Sequence, residues 1–153
     1  MESLNDTIKS NLDIMPVVST HLPLGWEYDI IGMVTAQSVS GTGIFTEGSS
    51  AVDDFFGTQS VALSNKLKGG ENFCFSLLRK RALDMGANAV IATDIDYAEL
   101  GTLKGMIMVC MAGTAIRLKN LNILGDSKVK EMDLITISNE RFRKLQALKV
   151  AIA

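Results

Sequence analysis

One histidine, His21, and two cysteines, Cys74 and Cys110, are all the imidazole and thiol groups the chain has. No Cys-x-x-Cys pair occurs. A structural zinc site takes four ligands, mostly sulfur or nitrogen, so one chain does not furnish it without ligands from other copies. A lone histidine also leaves a serine nucleophile little choice of base, and no serine stands in an elbow or triad pattern. His21, beside "LPLGW", reads as a turn or surface histidine. Neither sign of charge dominates: 15 basic and 17 acidic residues leave a net charge of -2. That balance is not built to neutralise phosphates over a wide surface, so nucleic acid is not an expected partner. No apolar run approaches membrane-spanning length, so no membrane partner is expected. The opening "MESLNDTIKS" lacks the basic-then-apolar order of a secretory signal. The expectation is a cytoplasmic protein whose cysteines are buried free thiols, ahead of a disulfide.

What the chain does have is apolar substance. Apolar residues make up 47% of its 153 residues and charged residues 21%. One domain with a real core is therefore expected, and disorder throughout is excluded. Residues 1–14 are polar with scattered Leu and Ile, a short helix or a loose arm. "PVVST" (16–20) is a short strand, because Val and Thr favour the extended backbone. "HLPLGWEY" turns at Pro23 and Gly25. "DIIGMVTAQSVSG" is a longer strand, in which Gly32 marks a bulge or a close neighbour. "GTGIFTEGSS" is a flexible loop. It lacks the lysine of a phosphate loop.

A long helix follows from near Ser50 to Met85. Leu63, Leu67, Cys74, Leu78 and Met85 recur at spacings of four or seven, and Leu77 widens the stripe. Gly69 and Gly70 interrupt it. Each costs about 1 kcal/mol against alanine in a helix interior, so a kink or break is expected there. Gly86 then suits the left-handed position that ends a helix. Asn88 offers an amide to backbone groups of the turn. Ala87 and Ala89 let the helix end approach a sheet. "AVIATDI" is the next strand, and "TLKG" (102–105) part of a turn.

"MIMVCMAGTAIRL" is the most telling strand. Ile107, Val109 and Met111 point one way, and Met106, Met108, Cys110 and Ala112 the other. Both faces are apolar, and one helix covers only one of them. Either the segment after residue 120 covers the second face, or another subunit does. Met106, Met108 and Met111 are read as adaptable packing ahead of thioether ligands.

From Leu121 the charge changes. Residues 121–153 carry six basic and four acidic residues, against nine and thirteen before them. "LITIS" is a strand candidate. Ser138 or Asn139 is placed to cap "ERFRKLQALKVAIA" as a helix. Phe142, Leu145, Leu148 and Ile152 give that helix an apolar stripe. Its basic residues read as a solvated face, since aromatics between them are lacking.

The order of these features resembles the YbjQ-like family, also called UPF0145 and labelled a heavy-metal-binding domain. The likeness runs from about Met15 to Leu118 and is carried by "GANAVIATDIDY" followed by "MVCMAGTAIRL". By family pattern Gly86, Ala87, Asn88, Ala89 and Val90 match the motif after the helix. Asp94 and Asp96 match its acidic strand end, and Gly113 and Thr114 its closing strand. Gln59 stands where the family has an arginine, so a partner held through that arginine is not carried over. The resemblance implies an α+β fold with a strand-helix-strand-strand core similar to dodecin subunits, and a homo-oligomeric ring, typically a pentamer. It implies no activity.

The expected organisation is an arm (1–14), an α+β domain (15–120) and a strand/helix appendage (121–153). Gly86, Asn88, Gly113 and Thr114 are structural motif residues. Asp94, Asp96 and Glu99 are the one compact acidic group able to offer oxygens to a hard divalent ion. No cofactor is expected. The favoured function is a ring-forming scaffold or ligand-binding module, with self as partner and an unidentified small ligand or protein beside it. The alternatives are a divalent-metal-dependent enzyme with an intersubunit site, and a protein-interaction domain using the last helix.

Overall fold

A computed structural model describes residues 8–40, 58–100 and 106–152. The expected glycine-serine loop, the helix start near Ser50 and the 102–105 turn lie outside those residues. The described elements are β1 (Tyr28–Ser40), α1 (Thr58–Asp84), β2 (Ala89–Leu100), β3 (Met106–Leu118) and α2 (Asp126–Ile152). Short 3-10 turns at Leu12–Ile14 and Leu121–Leu124 precede β1 and α2. The fold is α+β.

The strands form one antiparallel sheet in the order β1-β3-β2. β3 takes the centre, as suits a strand that is apolar on both faces. The expected strand at 16–20 reduces to one parallel bridge, Val17 to Val90. Its backbone still runs along β2. The Val18 N–H donates to Val90 O and the Thr93 N–H to Val18 O, both at 3.0 Å.

On the inner face α1 packs through Cys74, Leu78 and Ala82, all at 0% exposure, one turn apart. They meet Val34 and Ala36 of β1 and Val109 and Met111 of β3 in one core cluster. The expected kink at Gly69-Gly70 is not there: α1 runs unbroken from Thr58 to Asp84. Gly70 continues the buried row one turn before Cys74. A Cβ on it would lie 2.8 Å from Val109 Cγ2, while a Cβ on Gly69 would meet nothing. The glycine lets the helix lie close on the sheet, and that packing offsets its poor helix propensity.

The segment after 120 is also corrected. "LITIS" is not a strand, and Ser138 and Asn139 are not a cap; all lie inside the single helix α2. Its Met132 and Ile135 are buried beside Ile8, Leu12 and Met15. The tertiary burial of those side chains overrides the β-propensity of the Ile-Thr run. The expected apolar stripe divides: Phe142 packs against the core, whereas Leu145 and Leu148 are exposed.

Register fixes the outer face of the sheet. Ile30, Met33, Thr35, Gln37 and Val39 of β1 lie opposite Ile116, Thr114, Ala112, Cys110 and Met108 of β3. β3 is opposite Asp94, Asp96 and Ala98 of β2 at Ala112, Cys110 and Met108. One end of this face is covered by a small cluster of Ala89, Ile91 and Ile116 with Val18, Trp26 and Tyr28. The other end has no described element over it.

Candidate functional site

The helix-to-strand junction is built as the sequence suggests. Gly86 has φ +87°. Its N–H donates to Leu83 O at 3.0 Å, and the Ala87 N–H to Ala82 O at 2.9 Å. Those two bonds are a Schellman closure with glycine in the left-handed position. The last carbonyl of α1 and that of its glycine cap collect cationic donors, as the negative end of a helix dipole favours. The Arg117 guanidinium donates to Gly86 O through Nε and Nη2, at 3.2 and 3.0 Å. Arg143 of α2 donates to Asp84 O at 2.7 Å. Asn139, 2% exposed, donates its amide to Leu83 O at 3.4 Å and Asp84 Oδ1 at 3.2 Å. A cleft of about 320 Å³ opens here between Asn88, Arg117, Thr136 and Glu140.

Asn88 acts as a side-chain rung of the sheet. Its Oδ1 accepts from the Leu118 N–H at 2.7 Å, and its Nδ2 donates to Leu118 O at 3.0 Å. Gly113 faces a bulge in β2 between Ile91 and Asp94. There Ala92 holds φ 52°. A Cβ on Gly113 would sit 2.6 Å from Val90 Cγ1 and 3.0 Å from Thr93 Oγ1. Thr114 lies on the outer face, paired with Met33 and Ile91. Gly86, Asn88 and Gly113 bear on backbone geometry, Thr114 has only its place in the sheet, and the four bring no reactive group together.

The β2 bulge has a second effect. It resets the alternation so that Asp94 and Asp96 both stand on the outer face. Across β3 they come into line with Thr35 and Gln37 of β1. Thr35, Gln37, Asp94, Asp96, Cys110 and Ala112 surround a shallow cavity of about 120 Å³. Thr35 and Gln37 were not foreseen as site residues. Their signal is the strand register, which places them two strands from the aspartates. Glu99 pairs with Ile107, a residue of the inner face, so alternation turns it away from Asp94 and Asp96. The acidic trio is not gathered.

The soft ligands are also apart. Cys74 is buried on the inner side, where its thiol donates to Val109 O at 3.3 Å. Burial pushes that thiol up, with a smaller push from Cys110. Cys110 lies on the outer face, and His21 is exposed in the segment before β1. Among the described residues no three His, Cys, Asp or Glu side chains are grouped to hold a metal ion. A soft-metal site therefore does not fit the described residues of one chain. Among them, too, no helix is long and apolar enough to cross a membrane.

Against this geometry the comparisons with known proteins are specific. A family model of YbjQ-like proteins, described as "Putative heavy-metal-binding", matches residues 15–119. The chain belongs to the YbjQ-like family. It is 36% identical over 85 residues to a UPF0145 protein of Clostridium botulinum, covering 56% of this chain and 80% of that one. It is 36% identical over 87 residues to a UPF0145 protein of Bifidobacterium longum subsp. infantis, covering 57% and 79%. A crystal structure from Pediococcus pentosaceus, titled as a protein with unknown function of the DUF74 family, is similar in fold. Its TM-score is 0.51 at 15% identity, over 69% of this YbjQ-like chain and 98% of that one. The matched span ends before α2 begins.

Proposed function

We propose that this YbjQ-like chain is the subunit of a homo-oligomeric ring that serves as a scaffold or ligand-binding module. The exposed outer surface of β1, together with the open end of the outer sheet face, is its interface. The supporting observation is exposure there of side chains that water does not favour. Ile30 is 71% exposed, Met33 73% and Val39 56%. Burial of such surface is worth about 25 cal/mol per Å². In β1 it lies on an edge strand, which among the described strands pairs with β3 alone. A second copy of the chain is the occupant that answers both features. Five copies, and the likeness to dodecin subunits, rest on the family resemblance.

In such a ring Asp94, Asp96, Thr35 and Gln37 stand beside the interface. They form an acceptor-rich patch suited to a ligand with hydroxyl or amino donors. The enzyme reading asks more of the site, because no described nucleophile is paired with a base. Light scattering tests the proposal. The wild-type chain is expected to be a multimer at micromolar concentration. The Met33→Glu, Val39→Glu double variant changes only exposed side chains, so it should fold and show at least a several-fold lower mass. An unchanged mass in the variant would remove the outer face from the interface.

A further inference from the structure

The helix α2 has a second apolar stripe that the domain does not use. Met132, Ile135 and Asn139 face the core at 1%, 0% and 2% exposure. Roughly 150° round the helix, at 3.6 residues per turn, stand Leu134, Ile137, Leu145 and Leu148. They are 61%, 49%, 40% and 58% exposed. These four fall within a stripe about 80° wide, the narrow seam of a helix that pairs with another helix. A bilayer surface suits a broader apolar face.

We infer that this stripe pairs α2 antiparallel with α2 of a second copy of the chain, about a two-fold axis near Arg141. Charge complementarity selects the occupant and its direction. With Arg141 on the axis, Leu134 lies across from Leu148 and Ile137 from Leu145. The same register sets Glu131 beside Lys149 on one flank and Glu140 beside Lys144 on the other. All four charged residues are exposed, and none belongs to an ion pair among the described residues. A parallel pair would instead set Lys144 against Lys149. Charge along the helix agrees. From Asp126 to Glu140 there are four acidic residues and two basic; from Arg141 to Ile152 there are four basic and none acidic. Only the antiparallel arrangement lays one half on the other. Arg141, exposed within the stripe, faces its own copy across the axis, and that like-charge contact costs the pair affinity. The span matched by the family ends at residue 119, so this pairing belongs to a part of the chain outside the family likeness.

The outer sheet face and the α2 stripe are separate surfaces, and mass measurements tell them apart. Light scattering is run on the full chain, on Leu145→Glu, Leu148→Glu, and on Met33→Glu, Val39→Glu. The stripe variant should have half the mass of the wild type. The sheet-face variant should fall to two chains if the ring reading holds, and keep the wild-type mass if the ring reading fails. Lys149→Glu alone should loosen the pair several-fold, and adding Glu131→Lys should restore it. Arg141→Leu should tighten it. A stripe variant with the wild-type mass overturns the inference. So does sedimentation of the wild type, and not of the stripe variant, with phosphatidylserine vesicles when their masses agree. A failed Glu131→Lys rescue rejects the antiparallel register.

Discussion

On its inner side β3 buries Ile107, Val109, Met111 and Ala115. On its outer side Met106, Met108, Cys110 and Ala112 remain partly exposed, and only Ile116 and Leu118 are buried. The same strand thus has one face completed within the chain and one face completed only at its end. The inner face has α1 along it, brought close by Gly70. The outer face has the short 16–28 segment, with Trp26 and Val18 reaching no further than the Ile116 end. Apolar alternation says that both faces want cover. It does not say that the cover belongs to the same molecule.

Substitutions on the two faces should therefore differ in kind. The largest loss of stability is expected inside. Leu78→Ala, at a site with no exposure, should cost about 2–5 kcal/mol by chemical denaturation. A cost below about 1 kcal/mol would mean that α1 is not the main cover of the inner face. The junction comes next. Gly86→Val forces a β-branched residue into φ +87°, and should cost more than about 1 kcal/mol. An unchanged midpoint would remove the helix-cap assignment.

A smaller effect should appear with pH. The buried Cys74 thiol is raised above its ordinary value. In the unfolded chain the thiol ionises near pH 9, while in the folded chain burial makes it keep its proton to higher pH. The unfolded state then binds fewer protons, so this contribution lowers stability as pH rises, by at most about 1.4 kcal/mol per unit. Cys74→Ala should flatten the decline in melts between pH 8 and 10. An identical slope in both proteins would refute the buried-thiol account. The smallest effect is expected from divalent ions. Asp94 and Asp96 stand on the outer face without Glu99, so Mg²⁺, Ca²⁺ or Mn²⁺ should leave the melting temperature unchanged. A rise that disappears in Asp94→Asn, Asp96→Asn would show instead that the outer face holds a cation.

Much of the sheet and the first helix could be read in the sequence, because period and punctuation agreed. Gly86 after the Leu78–Met85 periodicity, Gly32 within β1 and the alternation of β3 all carry local signals. Gly70 was misread because propensity is local, whereas its reason is Val109, 39 positions away in the chain. "LITIS" was misread for a related reason. Its Ile135 and Ile137 fit a strand locally, but Met132, Ile135 and Asn139 are spaced to bury one face of a helix. The candidate site was half legible. Asp94 and Asp96 carry an acidic signal. Thr35 and Gln37 carry none until the register of β1 on β3 is known, and the bulge at Ala92 sets which way the aspartates face.

The labelling rate of Cys110 tests most directly whether the outer face is closed by another copy. This thiol lies in the middle of that face and is partly exposed in the single chain. In a Cys74→Ala background it is the one thiol left to react. At micromolar concentration the account predicts slow modification by a thiol reagent, and modification at least tenfold faster once Met33→Glu and Val39→Glu open the interface. Equally fast labelling in both proteins would contradict it.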